Sequence, residues 1–331
     1  MQLSACLIVR DAADTLGPCL DALVGVVDEV VVLDTGSVDG TWELLRGRPG
    51  VRSSQAPWTD DFAAARNTVL AAARGEWVLS VDADEVLVAG GGALRRSLSH
   101  EPGRTLAVCV RNLGADGGRD YEFSAVRLFR REGAVWNGRV HEQVGHPAHR
   151  DEAPGELPRD VARLDHRGYA DEGARRRKGE RNLRLAVGEF EQLRTRPGAT
   201  AEQLAGAALD LGRSALGAGD RQRAVDAFEV VRELVASGPS WCQATDYLAR
   251  VLLGAGEAGL GIVLADQLVL AGVDPRYCRW LRAQGLAQQG RTRDALAELD
   301  GLTTIVDTAG RRHDPVALDV LRRLCREAAT G

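Results

Sequence analysis

"EWVLSVDADEV", residues 76–86, decides how the first half of the chain is read. Trp77, Val78, Leu79 and Val81 form an apolar run of strand type. It ends in Asp82, Ala83, Asp84 and Glu85, so three carboxylates collect where the strand leaves the core. In extended backbone alternate side chains share a face, so D-x-D can aim Asp82 and Asp84 at one point. Two carboxylates held that close repel unless protons or a cation compensate. Hard oxygen ligands suit Mg²⁺ or Mn²⁺, and such a metal can neutralise a diphosphate. By itself the triplet also fits an ordinary acidic surface loop.

Upstream of that stretch, "LSACLIV", "TLGPCLDALVGV", "DEVVVLD", "DGTWELLRG" and "DFAAARNTVLAAARG" alternate strand and helix patterns, and the alternation extends to about Tyr169. It predicts an α/β unit over residues 1–170, a mostly parallel sheet with helices on its faces. Ligands bind beyond the carboxyl ends of such strands, where Asp34 and Asp82 both fall, so both are expected to face one crevice.

From about Asp171 the strand signal stops, and Ala, Leu, Arg and Glu recur in helical spacing. "LGAGDRQRAVDAF", "LGAGEAGLGIVLA" and "AQQGRTRDALAEL" superimpose on Gly219, Gly256 and Gly290, with a small residue five positions later in each: Ala224, Gly261 and Ala295. Those glycines are spaced 37 and 34 residues apart, near the tetratricopeptide period of about 34. The expectation for residues 171–331 is an all-α, tetratricopeptide-like stack of helical hairpins, with an ordinary helical bundle as the alternative. Trp241, Tyr247, Tyr277 and Trp280 interrupt this aliphatic region, either as core or as a surface for a peptide or a second copy of the chain.

Composition narrows the function classes. A formal charge of −5 gives no reason to expect nucleic acid or an acidic membrane as the partner. Six cysteines without a C-x-x-C pair read as thiols in a reducing compartment. "MQLSACLIVRD" has no basic n-region or cleavage site, and nothing later reaches the roughly 20 apolar residues that a transmembrane segment needs, so the expected location is cytoplasmic.

The motifs around the acidic triplet add to it. "VVVLDTGSVDGT" puts Asp34 at a strand end, then a turn, then Asp39, placed to cap a helix starting near Thr41. "WTDDFAAARN" puts Asp61, Arg66 and Asn67 on or beside the next helix. Asp61 there is a natural N-cap, and Arg66 is either a solvated charge or a phosphate contact.

The order D-T-G-S-x-D-G-T, then D-F-x-x-A-R-N, then a strand ending in D-A-D-E resembles the nucleotide-sugar half of inverting glycosyltransferases of the GT-A fold, family 2 type. "WNGRVHEQV" (136–144) and "LDHRGY" (164–169) are similar to later motifs of the bacterial subgroup that carries C-terminal tetratricopeptide-like helices. The resemblance covers roughly residues 2–190. It implies a Rossmann-like GT-A catalytic domain, a nucleotide-sugar donor (a UDP-sugar or a related one), Mg²⁺ or Mn²⁺, and transfer with inversion at the anomeric carbon.

Carried over residue by residue, it makes Asp34 a contact to the donor base or ribose, and Arg66 with Asn67 a second nucleotide contact. Asp82 meets ribose or metal, and Asp84 the metal and diphosphate. Relatives have Asn-Glu-Glu after the first strand where this chain has Asp11, Ala12 and Ala13, which leaves the donor base open.

In "RVHEQVGHPAHR", His141 and Glu142 begin like H-E-x-x-H, but Gly145 stands at the fifth position, so that zinc set fails. Glu142 is the candidate general base for the acceptor, and His141 a weaker metal or acceptor-orienting candidate. His146 and His149 read as exposed. His166 is either a late metal or diphosphate ligand or a hydrogen-bonded histidine at a domain joint. "ARRRKGERNLR" (174–184) reads as the solvated face of a helix, or through Arg177, Lys178 or Arg181 as a diphosphate contact.

The expected reaction moves a sugar to an acceptor hydroxyl or thiol on a small molecule, glycan, peptide or natural product. The helices would form a homodimer or hold the acceptor. A helical scaffold with an inactive first domain is the main rival. A nucleotidyltransferase lacks its basic Gly-rich loop in "RDAADTLG", and a nucleotide-sugar hydrolase would release sugar without an acceptor.

Overall fold

The structure, a computed structural model, describes residues 2–113, 121–149, 152–167, 172–312 and 315–330; Gly168 and Tyr169 of the "LDHRGY" motif lie outside the described residues. The chain divides into two compact units, Met1–Ala170 and Asp171–Gly331.

The first unit runs β1 (Leu3–Val9), α1 (Ala13–Leu23), β2 (Glu29–Asp34), α2 (Thr41–Arg46), β3 (Val51–Gln55), α3 (Phe62–Ala72), β4 (Trp77–Ser80), β5 (Glu85–Ala89), α4 (Gly91–His100), β6 (Thr105–Leu113), β7 (Tyr121–Arg130), β8 (Val135–Asn137), β9 (Gln143–Gly145), β10 (Gly155–Glu156) and β11 (Ala162–Arg167). The main sheet has the order β3-β2-β1-β4-β7-β6-β11-β5. From β3 to β4 every pairing is parallel, as the βαβ alternation predicts. Beyond β4 the sheet is mixed: β7 is antiparallel to both β4 and β6, and β11 is parallel to β6 but antiparallel to β5. This is a GT-A-like α/β unit. A separate two-stranded ribbon pairs β8 with β9.

The near-continuous apolar reading of β1 follows from burial on both faces. Leu3, Ala5, Leu7 and Val9 join one core with Leu16, Cys19, Leu20 and Leu23 of α1 and Leu94 and Leu98 of α4. Cys6 faces the other way, into a core with Ala63, Ala65, Val69 and Leu70 of α3 and Trp136 of β8. The carboxyl ends of β1, β2 and β4 therefore open on one edge between these layers. Gly75 has to be small, because a Cβ there would lie 2.5 Å from Ser4 Oγ and 2.7 Å from Ser4 N.

The second unit holds α5 (Glu172–Thr195), α6 (Ala201–Gly217), α7 (Arg221–Leu234), α8 (Pro239–Gly254), α9 (Ala258–Leu270), α10 (Pro275–Gln288), α11 (Thr292–Leu299), a short β12 (Arg311–Arg312) and α12 (Pro315–Thr330). Consecutive helices pack on each other, and α8 also packs on both α6 and α10. The three aligned glycines sit at the turns α6–α7, α8–α9 and α10–α11, with φ of 80°, 86° and 72°. At each turn the following residue's N–H closes a bond to the carbonyl five residues back: Asp220 to Ala215, Glu257 to Leu252 and Arg291 to Leu286, all 2.9 Å. This is the Schellman closure, which needs a left-handed residue. The small residue five positions on lies where the second helix meets the first. Ala224 and Ala295 are fully buried, and a Cβ on Gly261 would fall 2.6 Å from Leu253 Cδ2.

Tyr277 and Trp280 are buried, and Trp241 and Tyr247 pack partly buried against the same core, so the aromatic residues have a packing role. Tyr277 donates its hydroxyl to the buried Asp246 at 2.5 Å, which meets the need of a buried carboxylate for partners. Among the described residues no helix is long and apolar enough to cross a membrane.

Candidate active site

Helix α3 begins at the edge where the strands end, and Asp61 caps it by accepting from Ala64 N at 2.8 Å. One turn on, Arg66 points inward and is only 9% exposed. Three protein groups satisfy it: Nε donates to Glu142 Oε1 (2.5 Å), Nη1 to Ser80 Oγ (2.9 Å) and Nη2 to Asp82 Oδ1 (2.8 Å). Its guanidinium lies 4.9 Å from the centre of the Trp136 ring. Arg127 of β7 approaches from the other side, and its Nη2 donates to Asp82 Oδ2 (3.0 Å) and Glu85 Oε1 (2.6 Å). Glu85 Oε2 in turn accepts from Asp82 N at 2.9 Å. Carboxylates and guanidiniums thus alternate along one line: Glu85, Arg127, Asp82, Arg66, Glu142.

The charge states follow from that alternation. Burial pushes Asp82 up, but Arg127 and Arg66 outweigh it and hold the carboxyl well below the usual range. Glu85 goes the other way. Burial raises it to about 7, with the nearby Asp82 and Asp84 charges adding to the rise and Arg127 opposing it. Burial disfavours the charge on both arginines, and the flanking carboxylates more than restore it.

Asp34 is fully buried at the end of β2. Its Oδ1 accepts from Gly36 N (2.9 Å) and Ser37 N (2.8 Å), and its Oδ2 from Gln55 Nε2 (3.2 Å). The side chain therefore shapes the Thr35–Ser37 turn. Asp39 accepts from Thr41 N and Oγ1, and also from Ala13 N at the start of α1. Asp11, at φ 49°, accepts from Val38 N. The "DAA" departure is thus stitched to the loop after β2. Asn67, expected beside the nucleotide, forms a two-way pair with the Trp136 backbone at 2.9 Å in each direction and fixes β8 to α3.

Asp84 lies on the same turn as Asp82 but points elsewhere, with Oδ2 3.1 Å from His166 Nε2. The other ring nitrogen, Nδ1, is 2.6 Å from Asn112 Oδ1. The β11–β5 and β11–β6 registers set this trio, placing His166 opposite Glu85 on one side and Asn112 on the other. Among the described residues no three His, Cys, Asp or Glu side chains converge as a complete metal-binding group. The pair Asp84–His166 still fits a divalent ion of the kind that takes one or two protein ligands and completes its shell with phosphate oxygens and water. An Asn112 carbonyl on Nδ1 suits the tautomer that carries its proton there and turns the Nε2 lone pair toward Asp84, where a cation could be shared between them. Both Asp82 oxygens are engaged by guanidiniums, so D-x-D does not converge on one point here.

Glu142 is mostly buried, with a side chain 13% exposed. Arg66 binds Oε1, and Oε2 makes no hydrogen bond among the described residues. Its neighbour His141 has φ 55°, a left-handed conformation uncommon outside glycine and asparagine. Gly138 permits the tight turn through its φ of 93°, a backbone conformation that side chains other than hydrogen rarely adopt. Phe62 N donates to Arg139 O at 3.0 Å and ties the turn to α3. His146, read as exposed, is buried, with Nε2 2.8 Å from Arg130 O, because the short helical turn after β9 folds it back. His149 is exposed, as are Arg177, Lys178 and Arg181.

Arg127, Ser80 and Asn112 were not singled out from the sequence. An arginine in the strand pattern "SAVRLFR" signals a buried partner, but nothing local says which carboxylate it meets.

The profile for Glycosyl transferase family 2 matches residues 4–96. A TPR repeat-containing protein of Synechococcus elongatus is 41% identical over 129 residues, covering 39% of this chain and 32% of that protein. The SPbeta prophage-derived glycosyltransferase SunS of Bacillus subtilis is 31% identical over 81 residues, 24% of this chain and 19% of that protein. The matched stretches thus span a third or less of those relatives' lengths. Among solved structures, Staphylococcus aureus TarS 1–349 in complex with UDP-GlcNAc aligns over 89% of this chain and 90% of that one, at 15% identity and a TM-score of 0.41.

Proposed function

We propose that this chain, whose residues 4–96 carry the glycosyl transferase family 2 signature, is a metal-dependent inverting glycosyltransferase using a nucleotide-sugar donor, a UDP-sugar first among them. The observation that carries the reading is Glu142: one oxygen is fixed by Arg66, the other makes no hydrogen bond among the described residues, and Arg66 with Asp82 joins this carboxylate to the turn that bears Asp84.

The turn shaped by Asp34 receives the donor base or ribose. Asp84 and His166 would hold Mg²⁺ or Mn²⁺, which when bound supplies positive charge opposite the diphosphate. Glu142 Oε2 takes the proton from the acceptor hydroxyl or thiol as it attacks the anomeric carbon, and the donor bond to the diphosphate breaks in the same displacement. His141, held in its left-handed turn, orients the acceptor. Arg66 and Asn67 act from behind, fixing Glu142 and β8. With the nucleophile in line, positioning lowers the barrier and no covalent enzyme intermediate is needed. The helical unit holds the acceptor, on a peptide, glycan or small molecule, or forms a homodimer.

The test is incubation with UDP-glucose, UDP-N-acetylglucosamine and GDP-mannose, with and without Mn²⁺, following thermal stability and release of nucleoside diphosphate. A metal-dependent rise in melting temperature with at least one donor is expected. If no donor shifts the melt or is turned over, the reading falls and an inactive first unit takes its place.

A further inference from the structure

Glu142 sits in the turn between β8 and β9, which the Asn137–Gln143 pairing closes and the bond from Phe62 N to Arg139 O ties to α3; Gly138 and His141 are both left-handed there. What fixes the carboxylate is Arg66 Nε at 2.5 Å. The Arg66 guanidinium is oriented by a second carboxylate, Asp82, which follows the end of β4 and is 36% exposed along its side chain. An aspartate in that setting has freedom to rotate. Here it is clamped from two elements, Oδ1 by Arg66 of α3 and Oδ2 by Arg127 of β7. Arg127 is anchored in turn by the buried Glu85, while its buried Nε has no hydrogen-bond partner among the described residues, so the two Nη2 bonds to Glu85 and Asp82 set its position.

Resting on the reading of Glu142 as base, we infer that Arg127 is a positioning residue for Glu142, acting through Asp82 and Arg66, with Asp82 as the bridge of this ionic line. Among the described residues Arg127 makes no hydrogen bond to Glu142, although the two charges are near enough to attract. Removing its guanidinium leaves Glu85 and Asp82 as facing carboxylates, frees Asp82 to turn, and loosens the Arg66 fork that presents Glu142. A misplacement of about 1 Å at a reacting group can cost about 100-fold in rate.

The experiment uses the full chain with UDP-N-acetylglucosamine, UDP-glucose and GDP-mannose as probe donors and compares Arg127→Gln and Arg127→Lys with the parent. For Arg127→Gln the donor KM should stay within about 3-fold while kcat falls about 10-fold or more. Lysine should restore part of kcat, because one ammonium can still bridge two carboxylates. In a Glu142→Gln background, Arg127→Gln should cause no further loss, since the two act on one step.

A readout independent of turnover is the ¹H–¹⁵N signal of Arg66 Nε–H, assigned by its disappearance in Arg66→Lys. It should be protected from exchange in the parent, exposed in Arg127→Gln and intermediate in Arg127→Lys. Full additivity with Glu142→Gln, a rise in KM with kcat unchanged, or a protected Arg66 signal in Arg127→Gln would each overturn the inference. If no donor is turned over, the proposed function fails while the Arg66 signal still decides whether Arg127 holds the line.

Discussion

Replacing the turn glycines Gly219, Gly256 and Gly290 by alanine tests the repeat architecture most directly. All three have φ between 72° and 86°, and an added Cβ meets nothing within 4 Å at any of them. Steric clash therefore drops out, leaving the left-handed backbone. For an L-residue that conformation costs about 1–2 kcal/mol, partly offset by the smaller entropy that alanine loses on folding, about 0.4–1 kcal/mol. The net is about 1 kcal/mol per turn. Because the three turns share no partners, the triple variant should lose about 3 kcal/mol, or roughly 6–12 °C in melting temperature for a unit of this size.

Asparagine tolerates the left-handed region, so Gly→Asn should cost less than Gly→Ala at each turn, and Gly→Val more. Gly261→Ala is the contrasting control. Its backbone is helical, but the Cβ would lie 2.6 Å from both Leu253 Cδ2 and Cγ, so any loss comes from overpacking. The assay is urea denaturation of the full chain, with hydrogen exchange on peptides from α6 to α11 to assign the loss to the second unit. Alanine at no cost, asparagine as damaging as alanine, or one turn costing several times the others would refute the argument that three equivalent closures set the hairpins.

Three shorter predictions concern the first unit. Glu142→Gln should leave donor affinity measured by calorimetry near normal while turnover falls about 100-fold, because only the acceptor proton loses its destination. Asp84→Asn should abolish the Mn²⁺-dependent part of donor binding, and unchanged metal-dependent affinity would remove Asp84 and His166 from that role. For Cys6, burial pushes the thiol up to about 12 from an unfolded value near 9.0. The unfolded chain therefore releases this proton first, and the contribution to stability, complete below pH 9, declines by about 1.4 kcal/mol per pH unit from there to about 12. Relative to Cys6→Ala, the parent's melting temperature should fall more steeply across that alkaline window; parallel curves would show that the thiol is not held neutral.

The parts legible in the sequence are those set by short-range pattern. The alternation up to "EWVLS" gives the parallel β3-β2-β1-β4 block, because a crossover helix (α1, α2 or α3) joins each of these strands to the next. The three glycines mark three turns because a Schellman closure is local. By contrast, the reversal at β7 and the insertion of β11 between β6 and β5 depend on pairings between distant segments with no local signature. The site divides in the same way. Asp82, Asp84, Glu142 and His166 stand out as acids or histidines at element ends. Their partners Arg127 and Asn112 lie 45 and 54 residues from Asp82 and His166, and only the sheet brings them together. That is also why D-x-D reads as a converging pair in extended backbone, whereas the folded chain turns Asp82 toward two arginines and Asp84 toward a histidine.

The place of β11 has a consequence for how the protein is made. In the sheet, β5 pairs with β11 and with no other strand among the described residues, and β11 is residues 162–167. On the ribosome, β5 therefore emerges well before its only sheet neighbour, by roughly 4–15 s at ordinary elongation rates. In that interval its apolar side chains can rest on α1, which packs against it in the finished unit, but its backbone N–H and C=O groups wait for a partner. The register that ends the wait also sets His166 opposite Glu85, next to Asp84. Burial of the last strand and assembly of the Asp84–His166 pair are thus one event, so a nascent or truncated chain ending before residue 166 has neither a satisfied β5 nor that half of the site.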